Sequence, residues 1–206
     1  MVPAGYAAFL IATLLTAAAI GAALADNAPK KMSPSPQAGQ LAPEKAAICA
    51  VCHGAEGVPI DKSIPNIYGQ NEGYIYIELR DMKKGARKND AMAAVVEDLS
   101  REDMFAFAAY FASKPWTNLQ QPRASSEDDK RFAVLAASAG CPGCHMAGYV
   151  GAGTQPHIAG QSEEYLLKTM MDFRSGARAN NSWMKDLLNT YSEADVRTMA
   201  RALAGM

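Results

Sequence analysis

The sequence predicts an all-α molecule built from two tandem small helical domains, and three observations carry that prediction. Cys49-Ala50-Val51-Cys52-His53 returns ninety-two residues later as Cys141-Pro142-Gly143-Cys144-His145. The likeness continues beyond these motifs: Ile64-Pro65-Asn66-Ile67-Tyr68-Gly69-Gln70 matches Gln155-Pro156-His157-Ile158-Ala159-Gly160-Gln161, Tyr74 matches Tyr165, and Gly85-Ala86-Arg87 matches Gly176-Ala177-Arg178, all at an offset of ninety-one. Self-similarity at a single period marks repeated units, and two copies of this length make two domains rather than a solenoid. Finally, apolar residues recur at helical spacing, and no alternating strand pattern of useful length occurs.

In chain order, residues 1–25 carry no charged side chain. They contain an apolar run from Ala7 to Leu15 and end in Ala23-Leu24-Ala25, which resembles a signal-peptide cleavage site. The reading is a cleaved export signal; the basic n-region is missing, and the segment is long enough to span a bilayer as an uncleaved anchor. Residues 26–40, with Pro29, Pro34 and Pro36, read as a flexible tether. Domain 1 occupies 41–114. Its first helix is expected to start with Pro43 at N1 and to bury Ala46, Ala47 and Ala50. A middle helix aligns Ile75, Leu79 and Met82, and a last helix opens at Ser100-x-x-Asp103 and buries Met104, Ala108 and Phe111. Residues 115–124, bounded by Pro115 and Pro122, form a linker. Domain 2 occupies 125–206. It starts with a capping box at Ser126 and Asp129 and a stripe of Phe132, Leu135, Ala136 and Ala139, on a helix that runs straight into Cys141. A middle helix with Leu166, Met170 and Phe173 follows, then a last helix opening at Ser192-x-x-Asp195 and burying Val196, Met199, Ala200 and Leu203. Such small, alanine-rich domains have thin cores.

Lysine plus arginine number 20 against 21 aspartate plus glutamate, a net charge of −1. No nucleic-acid partner is expected from that balance. The chemistry lies in the repeated motif. C-x-x-C-H is the attachment site of c-type haem, in which the two thiols take the vinyl groups and the histidine takes the iron. The two motifs use all four cysteines and two of the three histidines. A dithiol redox site expects a βαβ context, which is absent; a four-cysteine zinc site leaves both histidines unexplained; two disulfides would each close only a two-residue loop. Two covalently bound haem c groups are therefore expected, each filling a thin helical core.

The distal side of each iron decides between electron transfer and small-molecule binding. Copy one offers Met82, Met92 and Met104; copy two offers Met146, Met170, Met171, Met184, Met199, Met206 and His157. Met82 aligns with Phe173, and Met104 with Val196 on a core face. Met92 and Met184 align with each other, both thirty-nine residues beyond their motif histidines and both in polar, loop-like surroundings. They are the expected distal ligands, against the plainer reading of methionine as packing. His157 is matched by Asn66 and reads as a loop histidine near the haem rather than an axial ligand. Lys83, Lys84, Arg87 and Lys88 form either a docking or propionate-pairing patch or a solvated helix end. Trp116 and Trp183 read as packing residues.

Two C-x-x-C-H domains, each followed by Pro-x-x-x-Gly-Gln, a Tyr-led helix, Gly-x-Arg and a Met, resemble the di-haem class I cytochromes of the cytochrome c4 type over Leu41 to Met206. The resemblance implies two tandem class I cytochrome c domains, with His53 and Met92 on one iron and His145 and Met184 on the other. It also implies that the carbonyls of Pro65 and Pro156 receive the proximal histidine N–H. An exported, periplasmic electron carrier would follow, membrane-attached if the N-terminal segment is retained, with a cytochrome complex, an oxidase or a dehydrogenase as redox partner. The alternative is a dedicated electron-transfer subunit of a dehydrogenase or oxidase complex. A di-haem peroxidase fits less well, because it needs an open iron site and a longer chain.

Overall fold

The computed structural model describes residues 38–206. The expected signal or anchor, and the tether up to residue 37, lie outside the described residues. Among those described, nine α-helices and one 3₁₀ turn are present and no strand is formed, apart from an isolated bridge between Ala152 and Gln155. Copy one folds as α1 (Ala38–His53), α2 (Glu72–Lys83), α3 (Asp90–Val96) and α4 (Arg101–Ala112); copy two folds as α5 (Ser126–Ala139), α6 (Cys141–His145), α7 (Glu163–Ser175), α8 (Ser182–Asn189) and α9 (Glu193–Ala204).

Most helix starts follow their local chemistry. Ser100 and Ser192 make complete capping boxes with Asp103 and Asp195. Three expectations shift. α1 begins ahead of Pro43 and takes up the end of the expected tether, so Pro43 lies inside the helix rather than at its first position. The α5 cap is one residue earlier than expected: Ser125, in extended conformation, accepts from the Asp128 N–H, and Ser126 is already helical. α5 also does not run unbroken into Cys141, because Gly140 takes a left-handed conformation (φ 65°) and a second short helix restarts there with a proline in its first turn.

The other departure concerns the methionines. Met92 and Met184 sit in the short helices α3 and α8, not in loops. Asn89 and Asn181 cap these helices, and their side-chain oxygens accept the Met92 and Met184 N–H groups, each at 3.1 Å. Helices of seven and eight residues are too brief for a 3.6-residue period to show in the sequence.

α1 and α2 pack on α4, while α5 and α7 pack on α9. The first core gathers Ala46, Tyr68, Ile75, Phe107, Ala108 and Phe111; the second gathers Phe132, Leu135, Leu166, Met170, Phe173 and the buried face of α9. Gly69 and Gly160 tie the loop of each copy to its last helix, donating to the Phe111 and Leu203 carbonyls at 2.9 and 2.8 Å. Both glycines have positive φ, and a Cβ on Gly69 would lie 2.6 Å from the Trp116 nitrogen, so no other residue fits there without strain.

The copies face each other through exchanged bonds. Gln70 donates to the His157 carbonyl and accepts the His157 N–H, both at 2.8 Å. Its repeat partner Gln161 does the same to Asn66, at 2.8 and 2.9 Å. The helix-capping residues also reach across, Asn71 to the Val150 and Gln155 carbonyls and Ser162 to the Lys62 carbonyl. Residue i meeting j while the repeat mate of j meets that of i is the signature of an isologous, two-fold interface, here within one chain.

Candidate functional site

His53 and His145 are buried at the ends of α1 and α6. The Nδ1 of His53 lies 2.8 Å from the Pro65 carbonyl oxygen, and that of His145 lies 3.1 Å from the Pro156 carbonyl oxygen. A carbonyl only accepts, so each Nδ1 carries the proton. Burial lowers both histidine pKa values, and the carbonyl bonds oppose that shift only in part. Each ring is thus neutral near pH 7 with its Nε2 lone pair available, which is the form that binds a metal.

The cysteines divide in matching fashion. Cys49 and Cys141 pack at the edges of their own cores, and Cys52 and Cys144 are exposed. Burial pushes the Cys49 thiol up to about 11 and raises that of Cys141. All four thiols are free, and among the described residues no cluster of three His, Cys, Asp or Glu side chains is placed to hold a metal ion.

A single cavity of about 1190 Å³ runs between the two copies, larger than the roughly 300–1,000 Å³ of an ordinary small-molecule site. His53, His145, Met92, Met184, Cys49 and Cys52 all line it. His157 lines it too, with its ring flat against Trp116, centroids 3.7 Å apart at 12°. Trp116 packs as expected. Trp183 does not, standing 86% exposed on α8.

Sequence reasoning missed a buried polar cluster at the same cavity. Arg87, read as part of a basic patch, turns inward to Glu78 at 2.8 Å and to the Tyr165 hydroxyl at 3.1 Å, while Lys83, Lys84 and Lys88 stay exposed. The repeat partner Arg178 reaches Glu78 at 2.5 Å and the Tyr74 hydroxyl at 3.4 Å, and its Cζ lies 4.3 Å from the centre of the Phe173 ring. Its Nη1 is buried with no hydrogen-bond partner. The repeated Gly-x-Arg was the available signal, but the acceptor Glu78 lies on a helix whose polar positions look solvent-facing in sequence. These residues fit haem: apolar walls, two free imidazole nitrogens, two thioethers, the Cys49 and Cys52 thiols and an arginine donor awaiting an anionic group, while Cys141 and Cys144 lie outside the cavity lining.

No family model matches the chain. Cytochrome c4 from Pseudomonas aeruginosa is 31% identical over 171 residues, which span 79% of this chain and 85% of that protein. The crystal structure of reduced recombinant cytochrome c4 from Pseudomonas stutzeri superposes with a TM-score of 0.73 at 28% identity, covering 84% of this chain and all of that one. The chain belongs to the cytochrome c4 family. A thiosulfate dehydrogenase electron acceptor from Stutzerimonas stutzeri is 30% identical, covering 78% of this chain and 80% of the relative. As a member of this family the chain is a di-haem c-type cytochrome of two class I domains, an electron carrier rather than an enzyme, and its partners are redox proteins. Among the described residues no helix is long and apolar enough to cross a membrane.

Proposed function

We propose that His53 and Met92 hold one haem iron and His145 and Met184 the other, with Cys49 and Cys52, and Cys141 and Cys144, as the covalent attachment points. The haem domains are 41–114 and 125–206, joined by 115–124. Residues 1–25 direct export, so that the carrier works in the periplasm. The observation that carries this reading is the pair of histidines whose Nδ1 atoms are held by proline carbonyls beside a cavity lined by both methionines.

When bound, each haem supplies a one-electron iron couple. The protein's part is to hold that couple still. The Pro65 and Pro156 carbonyls fix each imidazole's tautomer and orientation, and the methionines are presented from capped helices anchored by Asn89 and Asn181. A saturated His/Met pair leaves little to rearrange between oxidation states, and a thioether ligand raises the potential. A second reading, a carrier dedicated to one dehydrogenase, is favoured by the similarity to the thiosulfate dehydrogenase electron acceptor; rapid reduction of this protein by a thiosulfate dehydrogenase would support it.

The test is ligand replacement. Methionine bound to ferric iron gives a weak far-red charge-transfer band. Met92→Ala should remove about half of that band and lower one potential, leaving the other nearly unchanged, and Met184→Ala should do the same at the second haem. A band that survives in Met184→Ala but is altered by His157→Ala contradicts the second assignment.

A further inference from the structure

The stretch expected to be a plain linker touches the proline loops of both copies. Asn66 Nδ2 donates to the Thr117 carbonyl at 3.5 Å, and the His157 ring lies flat on Trp116, centroids 3.7 Å apart at 12°. Asn66 and His157 are repeat mates, and each directly follows the proline whose carbonyl accepts the Nδ1–H of a motif histidine. Trp116 is also wedged between the glycines of the two loops. A Cβ on Gly69 would lie 2.6 Å from its backbone nitrogen, and one on Gly160 3.3 Å from its Nε1.

The two loops are steadied by different means. In copy one the Asn66 side-chain oxygen accepts the Tyr68 N–H at 2.8 Å, a local turn that closes the chain just past Pro65. His157 has no side-chain oxygen and cannot close that turn. The matching N–H, that of Ala159, reaches the Tyr149 carbonyl at 3.3 Å instead. The ring of His157 is held by the stack on Trp116, and its backbone by Gln70 of copy one. Ring stacking favours one separation and one relative orientation. The Pro156 carbonyl and the His157 N–H are the two ends of one planar peptide unit, so holding His157 also aims that carbonyl.

We propose that Trp116 is a positioning residue for the second-copy iron site: by clamping His157 it keeps the Pro156 carbonyl on His145 Nδ1 and so fixes the direction of that imidazole. The proposal rests on the reading of His145 as an iron ligand. An imidazole that cannot turn leaves less to rearrange when the iron changes oxidation state.

The test is hydrogen exchange at the imidazole Nδ1–H groups of the reduced full-length holoprotein, followed by NMR with isotopically labelled histidine. The chain has three histidines, so the spectrum is sparse, and Met184→Ala assigns the His145 signal by displacing it. Trp116→Ala should speed exchange at His145 several-fold and leave His53 unchanged. Trp116→Phe, which keeps a ring to stack, should restore most of the protection. Unchanged exchange at His145 overturns the proposal, and so does equal acceleration at His53 and His145, which is what general loosening gives. Should Trp116→Ala fail to fold with both haems, His157→Ala decides on the same outcomes, since it removes the other half of the stack. A wrong ligand assignment shows itself separately, because an unbound His145 lacks the strong upfield ring-current shift of an imidazole held on a reduced haem.

Discussion

At the scale of single residues, the two glutamines of the Pro-x-x-x-Gly-Gln motif join the halves of the molecule. Gln161 satisfies both backbone groups of Asn66, a residue with no exposed surface, and also accepts the Ser162 N–H. Gln161→Ala strands these three buried groups, and at ~1–3 kcal/mol for each one left unsatisfied the holoprotein should lose about 3 kcal/mol or more in denaturant unfolding. An unchanged midpoint would mean that water takes over all three bonds. The motif was visible in the sequence, but the partner of Gln161 lies ninety-five residues away and nothing local announces it. Glu78 was hidden for the same reason: a glutamate on an amphipathic helix reads as solvated until the arginine that buries it arrives from the other copy.

The helices were legible in proportion to their length and caps. Ser100 and Ser192 open α4 and α9 where the Ser-x-x-Asp spacing placed them, because a capping box is a local device. Ser100→Ala should destabilise the protein by about 1 kcal/mol. Its partner Asp103 adds a pH dependence. A bond from Lys45, then one from Ser100, holds its carboxyl down from 3.8 to about 2. A carboxyl depressed by folding stabilises fully above its unfolded pKa, so this contribution is lost as pH falls from 3.8 toward about 2. In matched unfolding curves, Asp103→Asn should be less stable than the parent at neutral pH, and the gap should close across that window. A gap that persists to low pH would assign the effect to packing. α3 and α8 escaped notice because one or two turns carry no readable period, although Asn89 and Asn181 were there to cap them.

For the whole molecule, the fold class and both haem motifs could be read directly, because helical spacing and C-x-x-C-H are short-range patterns and the duplication doubled each signal. The packing of one copy on the other could not, since it is made of bonds between residues eighty to a hundred positions apart. That packing turns two small haem domains with thin cores into one carrier with a shared cavity. The central claim is that this carrier holds two His/Met haems, one per copy, and passes electrons singly. The most direct measurement is a coulometric reduction of the native holoprotein while the far-red band is recorded. Two electrons per chain should be taken up in two steps, each bleaching part of the band until none remains. Uptake of a single electron, or a step that reduces a haem without bleaching the band, would contradict it.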